Sequence, residues 1–449
     1  MPRKPVLVFG FAMPLPLPLP FPGFKKAEGG SIAMDYLRLG AVLAFIFLIG
    51  STAFAKNQRS DCVECHRKVT PGIVQEHLQG KMAKAGVDCS ACHGSGHKKI
   101  DDAKLAKMPT PETCAGCHKK QADQFKDGKH NLAWIALGVM PMITHQTTAV
   151  AGDGYKGCSN CHKIGAKSDA ERAEVRYGNA QCDSCHTRHS FNKSEARDPR
   201  ACRTCHMGFD HSQWEMWSGS KHGTIWQIEG KWSKRAPTCQ TCHMQDGNHS
   251  VMTSWGFMAL RLPEDDKEWM KDRVTILQAL GVLDDKGNPT ARLAIVRASK
   301  VARLTKEEFQ EKRNKMTAVC AKCHGSPYAK GQLDAADKVI KDADKVMAEA
   351  ISVAQDLYKD GLLQKPAGWT FAPDLLQIYE AKSVVEQDLY VMFLEYRMMA
   401  FQGAFHMNPD YMHWYGWAPL KEALQKIKDE AERLRAEKPE AGSKQQGGG

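Results

Sequence analysis

One five-residue pattern, Cys-x-x-Cys-His, occurs eight times in this chain and constrains its fold more than any other feature. All 16 cysteines lie within the eight copies, and a histidine follows the second cysteine every time. Such a pattern attaches a c-type haem through its two thiols and supplies the proximal iron ligand through its histidine. Disulfide bonds or zinc sites would not require that histidine in every copy. The sequence therefore predicts eight haems, at Cys62/Cys65/His66, Cys89/Cys92/His93, Cys114/Cys117/His118, Cys158/Cys161/His162, Cys182/Cys185/His186, Cys202/Cys205/His206, Cys239/Cys242/His243 and Cys320/Cys323/His324.

The first 55 residues resemble a leader that is removed on export. Arg38 precedes the apolar run Leu39–Gly50, and Ala53-Phe54-Ala55 offers a small-x-small cleavage site. This arrangement is typical of a secretory signal peptide, with an apolar region too short to span a bilayer. We interpret Met34 as the start of translation, because the residues before it carry a Pro-Leu alternation with no evident role. The predicted location is the periplasm, or the lumen of an internal organelle, with no membrane span in the mature chain.

Charge and periodicity predict a mainly α-helical multihaem cytochrome c. The formal net charge of +11 could indicate nucleic-acid binding, but the propionates of eight haems more than offset it. We divide the mature chain into a seven-haem domain of short helices and loops (56–256), connecting helices with the eighth haem (257–330), and a C-terminal helical domain (331–449). In the first of these, the haems replace much of the aliphatic core. The last domain contains amphipathic patterns at Leu333–Leu363, Pro373–His406 and Pro419–Lys438. Almost no sheet is expected.

The histidine count decides between an electron carrier and an enzyme. Of 18 histidines, eight belong to the motifs and ten remain. A pure electron carrier would use eight of the ten as distal ligands, whereas an enzyme leaves at least one iron open. The count allows either. His211 stands beside Asp210 shortly after a proximal ligand, and such a pair can shuttle protons at an iron-bound substrate or serve as a distal ligand with a supporting acid.

The eight motifs, the Met207–Trp217 stretch and the tail segment Asn408–Gly416 resemble the octahaem hydroxylamine oxidoreductases. The resemblance implies that the fourth motif, Cys158/Cys161/His162, carries a catalytic haem with an open distal side, served by Asp210 and His211. It also implies that a tail tyrosine, here Tyr411 with Tyr415 as the alternative, bonds covalently to the catalytic haem of a neighbouring subunit in a homotrimer.

With His211 in the active site, nine histidines remain for the seven other irons. His406 and His413 lie in the tail beside the tyrosines, so the distal ligands are assigned without them, although either could replace one of the seven. The predicted distal ligands are His77, His97, His130, His145, His189, His222 and His249.

The resemblance implies oxidation of hydroxylamine to nitric oxide or nitrite, with Asp210 and His211 accepting protons and a soluble cytochrome c accepting electrons. Three alternatives remain open. Close relatives oxidise hydrazine to dinitrogen, and octahaem relatives without the tail tyrosine reduce nitrite or hydroxylamine to ammonium. The third alternative is a non-catalytic multihaem electron carrier with every iron six-coordinate.

Overall fold

The computed structural model describes residues 60–138, 161–174, 181–208, 211–230, 233–253, 262–293, 305–376 and 382–437. They all belong to one compact unit, Asn57–Gly449. The predicted leader and three predicted site residues, His145, Cys158 and Asp210, lie outside the described residues. The domain boundaries at 256/257 and 330/331 stay predictions.

Short helices carry the haem motifs, because the pattern itself fits one turn of α-helix. Residues at positions i, i+3 and i+4 share one helix face, so both thiols and the imidazole of a motif project to the same side. Cys239–His243 is such a turn. The α-helices of this region are Asp61–Val69, Pro71–Gln79, Lys81–Lys84, Ser90–His93, Pro111–Asp127, Ala133–Gly138, Asp169–Glu174, Lys193–Ala196, Arg200–Arg203, Gln213–Ser218 (α1), Lys221–Glu229 and Cys239–His243, with 3-10 turns at Ile100–Leu105, Lys129–Leu132, Cys182–Ser184 and Gln245–Gly247.

Longer helices form the C-terminal bundle. They are Lys267–Ala279 (α2), Lys306–Cys320 (α3), the 34-residue Ser326–Lys359 (α4), Val384–Val391 (α5), Arg397–Phe405 (α6) and Ala418–Glu437 (α7). A π-helical segment, Met392–Tyr396, joins α5 to α6. The short helix Pro409–Tyr411 and a second π-helical segment, Met412–Trp417, lead into α7.

The bundle buries the amphipathic faces that the sequence predicts. Ile351, Leu357, Leu389, Phe393 and Ile427 are at most 1% exposed and belong to one hydrophobic cluster. Burying a side chain of this size stabilises the fold by about 1.5–3 kcal/mol. Among the described residues of the pattern predicted from Pro373, α-helix begins at Val384, where Ser383 and Glu386 form a capping box.

A buried ionic cluster joins three helices of the bundle. Arg273 on α2, Asp344 on α4 and Arg397 on α6 are all fully buried. The Asp344 carboxylate lies 2.5 Å from Arg273 Nη2 and 2.8 Å from Arg397 Nη2, and it accepts a 2.6 Å hydrogen bond from Trp269 Nε1. Two buried guanidinium groups therefore share one carboxylate.

The predicted fold class is confirmed. The described residues contain no strand, and their one β-bridge is an isolated pair, Leu283 with Pro289. None of the helices in the described part of the chain combines the length and the apolar character that a bilayer span requires.

Candidate haem sites and catalytic centre

Seven of the proximal histidines face a second histidine. Metal–imidazole bonds of roughly 2 Å on each side of an iron place the two ring centres roughly 6 Å apart. The observed spacing therefore fits one iron between each pair. The ring-centre distances are 6.1 Å for His66–His97, 6.3 Å for His93–His189, 5.9 Å for His162–His211, 6.3 Å for His186–His249, 6.1 Å for His206–His130, 6.4 Å for His243–His406 and 6.1 Å for His324–His222.

The second ring nitrogen of many of these histidines is already hydrogen-bonded. A metal-binding histidine ordinarily uses one nitrogen for the metal and the other for a carbonyl or carboxylate that fixes its tautomer. Such Nδ1 contacts leave Nε2 to face the partner ring. They are His66 to Thr70 Oγ1 (2.7 Å), His93 to the Lys107 carbonyl (2.8 Å), His97 to Asp102 Oδ1 (2.8 Å), His162 to the Ala133 carbonyl (3.2 Å), His243 to the Met252 carbonyl (2.8 Å) and His406 to the Gln402 carbonyl (2.7 Å).

Burial keeps several of these imidazoles neutral, which is the metal-binding form. Desolvation lowers the pKa of His206 to about 3 and the pKa of His406 to about 4. It also lowers the pKa values of His130 and His243. The donor set of these pairs therefore fits a c-type haem.

The third motif differs from the others. Among the described residues, no imidazole ring is paired with His118 in the way the seven others are. His77 has a buried Nε2 without a hydrogen-bond partner in the described part of the chain, and burial lowers its pKa. A buried nitrogen without a partner is costly, so this atom is suited to a ligand. His145 lies outside the described residues.

Three of the cysteines predicted to bind haem lie at exposed positions. Cys65, Cys117 and Cys323 are exposed, whereas the other 12 described cysteines are half-buried. Each of the three is the second cysteine of its motif, and the residue before it is also exposed, so contacts within the polypeptide do not enclose the thiol. Their role as thioether attachment points stays a prediction, which rests on the motif.

Thiols of different motifs come together. Cys114 lies beside Cys182, Cys161 beside Cys205, and Cys202 beside Cys239. The third motif thus lies beside the fifth, the fourth beside the sixth, and the sixth beside the seventh. No disulfide forms among the 15 described cysteines, and the described residues contain no cluster of three or more His, Cys, Asp or Glu side chains suited to a metal ion. This arrangement is unlike disulfide frameworks or zinc knuckles.

His211 occupies the side of the fourth motif opposite His162. Its ring centre lies 5.9 Å from that of His162 and 6.3 Å from that of His206. His130 already faces His206, so His211 is assigned to the fourth motif. The His162–His211 pair is the shortest of the seven, with ring planes at 77°.

Tyr411 reaches this centre within its own chain. The Ser212 hydroxyl, directly after His211, lies beside the Tyr411 phenol and makes no capping bond to α1. Asn408 holds the turn, because its Nδ2 donates to the Met216 carbonyl (2.8 Å) and its Oδ1 accepts from the Tyr411 amide (3.0 Å). Burial raises the pKa of Tyr411, and Tyr415 stacks on its ring at 4.7 Å. The chain thus brings a phenol and a serine hydroxyl beside His211.

Comparison with known families agrees with these sites. A family described as "Seven times multi-haem cytochrome CxxCH" matches residues 85–276 and 289–368, more than half of the chain. The protein is a multihaem cytochrome c. Its haems are therefore covalently bound c-type haems, held by the Cys-x-x-Cys-His motifs.

Individual relatives of the cytochrome include redox enzymes and electron carriers. It is 27% identical to a probable nitrite reductase-hydroxylamine oxidoreductase fusion protein of Kuenenia stuttgartiensis, over 85% of this chain and 52% of that protein. It is 28% identical to the multihaem cytochrome MtrA of Shewanella baltica, over 44% of this chain and 50% of that protein. The chain thus spans about half the length of these two curated relatives.

The cytochrome also resembles solved structures. A reducing HAO-like protein complex of Kuenenia stuttgartiensis superposes with a TM-score of 0.65 at 25% identity, covering 86% of this chain and 87% of that one. A hypothetical multihaem protein superposes with a TM-score of 0.59 at 20% identity and shows the fold alone. The resemblance to the hydroxylamine oxidoreductase-like family is confirmed, and the cytochrome is related to haem oxidoreductases.

The structure brings most of the predicted site residues of this cytochrome together. Five of the seven histidines predicted as distal ligands face a proximal histidine, and His211 faces His162. His406, which the sequence analysis left out of the seven, lies opposite His243. No local pattern indicates this pairing, because the two residues are distant in sequence and meet only when the tail packs on the motif region.

Proposed function

We propose that the cytochrome converts hydroxylamine at the haem of the fourth motif, working in the reducing direction to ammonium. The observation that carries this proposal is that the Tyr411 phenol lies beside Ser212 of its own chain, next to His211, in a turn that Asn408 holds through the Tyr411 backbone amide. A phenol used in this way is less suited to bond a neighbouring subunit's haem. The similarity to a reducing HAO-like complex supports the same direction.

We further propose that the chain binds eight haems, one at each motif. Six would have the facing histidines described above as distal ligands, at the first, second, fifth, sixth, seventh and eighth motifs, whereas His211 would act as a proton carrier at the fourth. We assign His77, whose buried Nε2 has no hydrogen-bond partner among the described residues, to the third motif. Thiols of different motifs lie side by side. This proximity supports transfer of electrons from one haem to the next, from a soluble cytochrome c to the fourth motif.

The residues around the fourth motif have separate tasks. A haem held at this motif would supply electrons to a nitrogen substrate and act as a Lewis acid toward it. His162 would ligate its iron, and the Nδ1 contact with the Ala133 carbonyl orients this imidazole. His211 and Asp210 deliver protons, and Ser212 and Tyr411 provide hydroxyls that can hold a water or substrate hydrogen bond. Reduction of hydroxylamine to ammonia and water consumes two electrons and two protons, so a positioned proton donor is required.

Oxidation of hydroxylamine to nitric oxide or nitrite is the second candidate. It is favoured by the exposure of Tyr415 (59%) and Trp414 (65%), since an exposed tyrosine can reach a second copy of the chain. The predicted covalent link and homotrimer belong to this candidate, as does oxidation of hydrazine. In this direction the same His211 and Asp210 would accept protons.

A mass analysis under denaturing conditions, combined with turnover assays in both directions, separates the candidates. We expect single chains carrying eight haems, with ammonium formed from hydroxylamine when a reduced dye supplies electrons. A peptide containing Tyr411 or Tyr415 joined to the haem peptide of Cys158–His162, with faster oxidation than reduction, would contradict the reducing proposal. Absence of turnover in both directions would indicate a non-catalytic electron carrier.

The role of His211 can be tested by His211→Ala. Loss of a positioned acid–base group costs about 10²–10⁴-fold in rate, so turnover should fall by that factor while haem content stays unchanged. His413→Ala is the matched control, because His413 is exposed in the tail and contacts Trp414. If His211 were a distal ligand alone, its removal would open the iron and turnover would rise or stay constant.

A further inference from the structure

A chain of hydrogen bonds links His206, the histidine of the sixth motif, to His406, which faces the histidine of the seventh motif. His206 Nδ1 lies 3.2 Å from Gln213 Oε1. Gln213 Nε2 donates to Gln402 Oε1 at 2.6 Å, and the Gln402 backbone carbonyl accepts from His406 Nδ1 at 2.7 Å. The chain therefore runs His206–Gln213–Gln402–His406 and crosses from α1 to α6.

The donors and acceptors of this chain are consistent with one tautomer at both ends. Because Gln213 uses its amide nitrogen toward Gln402, its oxygen faces His206 and must accept the Nδ1 proton. The Gln402 carbonyl can only accept, so His406 also carries its proton on Nδ1. Both imidazoles therefore present an unprotonated Nε2 to the rings opposite, His130 and His243.

We propose that Gln213 and Gln402 are positioning residues that fix the axial imidazoles of His206 and His406 and tie the sixth and seventh haem sites into one hydrogen-bonded unit. The proposal rests on the haem-ligand roles proposed above. Gln402 is buried, and the thiols of Cys202 and Cys239 join the same two motifs, so the link spans neighbouring sites. An acceptor on Nδ1–H increases the basicity of a ligating imidazole and stabilises the oxidised iron.

The two side chains have different expected effects. Gln213→Leu removes the acceptor from His206, so the midpoint potential of the sixth-motif haem should rise. Gln213→Glu places a stronger acceptor there and should lower that potential. Gln402→Leu removes no hydrogen-bond partner of His206, and the backbone carbonyl at position 402 still accepts from His406 Nδ1. It should nevertheless shift the low-spin ferric signal of the sixth-motif haem, because Gln213 loses the group that holds it.

Electron paramagnetic resonance and spectroelectrochemical titration of the full-length holoprotein measure these effects without reference to turnover. His130→Met identifies the sixth-motif signal, because the ligand opposite His206 changes. Gln278→Leu is the matched control. Gln278 lies on α2, away from the motifs, and its side-chain amide donates to the backbone carbonyls of Asp284 and Asp285.

Opposite shifts for Gln213→Leu and Gln213→Glu, with a changed sixth-motif signal in Gln402→Leu, support the proposal. Shifts of the same sign, or none beyond that of Gln278→Leu, overturn the role of Gln213. An unchanged signal in Gln402→Leu overturns the link. If one Gln213 variant does not fold, the direction of the shift in the other still decides the role of Gln213. Failure of the proposed hydroxylamine chemistry would appear as missing turnover in the unmodified protein, with these spectroscopic shifts intact.

Discussion

Replacing Asp344 with Asn removes the negative charge that Arg273 and Arg397 share in the bundle. All three side chains are fully buried, and Asp344 also accepts from Trp269 Nε1 and Arg397 Nε, at 2.6 and 2.8 Å. The asparagine oxygen keeps at most part of these contacts, while both guanidinium groups stay inside. The variant therefore has two buried positive charges without a counter-charge in the cluster.

Breaking a buried ion pair from one side costs about 3–5 kcal/mol, because the remaining charge is not compensated. We expect Asp344→Asn to lie in this range. At about 2–3 °C of melting temperature per kcal/mol for a chain larger than 150 residues, the melting temperature should fall by about 6–15 °C. Arg397 is the first residue of α6, and this helix ends just before His406. The low-spin signal of the seventh-motif haem should therefore broaden as well.

Differential scanning calorimetry of the holoprotein, with circular dichroism as a second probe, measures the change. Asp342→Asn is the matched control, because it makes the same substitution at a position of α4 outside the buried cluster. A loss of less than about 1 kcal/mol relative to this control would refute the reasoning, since it falls well below the cost of a broken buried pair. It would mean that the two guanidinium groups are compensated by something other than the Asp344 carboxylate.

Three further substitutions test the packing of the C-terminal helices. Burial and the hydrogen bond to Glu386 raise the pKa of Tyr358, so ionisation of this phenol in the unfolded chain above pH ~10 should reduce stability there, and Tyr358→Phe should flatten the alkaline part of a denaturation series. A Cβ at Gly416 would lie 2.3 Å from the Ala400 nitrogen, so Gly416→Ala should destabilise by about 1–3 kcal/mol or more in thermal unfolding. Gly331→Ala, in α4 with nothing within 4 Å, should instead stabilise by up to about 1 kcal/mol.

The sequence predicts those parts of the protein that depend on local chemistry. The spacing of the motif places two thiols and an imidazole on one face of a helical turn, as at Cys239–His243. The amphipathic pattern from Leu333 to Leu363 likewise predicts α4, because its apolar spacing has no other stable solution than a helix packed on one side. These features need no knowledge of distant residues.

Pairing of the histidines could not be predicted in the same way. His130 precedes the sixth motif by more than 70 residues and His406 follows the seventh by more than 160, so each pairing is decided by tertiary packing. His406 is left out of the predicted distal ligands because it lies in the tail beside the tyrosines, a position that does not indicate which motif it faces in the fold. Gln213 and Gln402 carry no sequence signal at all, since their roles depend on a contact between α1 and α6.

Burial of the thiols is a further property that the motif does not specify. The spacing of Cys65, Cys117 and Cys323 within their motifs is the same as that of the half-buried second cysteines, yet these three are exposed. A five-residue pattern determines which helix face carries the thiols, but the neighbouring segments determine whether that face is covered.

The tail supplies more than a hydrophobic core to this cytochrome. Through α6 it brings His406 opposite His243 and Gln402 against Gln213, and through Asn408 it brings Tyr411 to Ser212. The ionic cluster at Asp344 fixes the start of the same helix. A boundary at 330/331 therefore separates two compositions, but the haem sites of the sixth and seventh motifs and the centre at His211 each depend on residues from both sides of it. The proposed direction of the reaction depends on the tail, because the tail contains Tyr411 and Tyr415, whose contacts distinguish the reducing from the oxidising candidate.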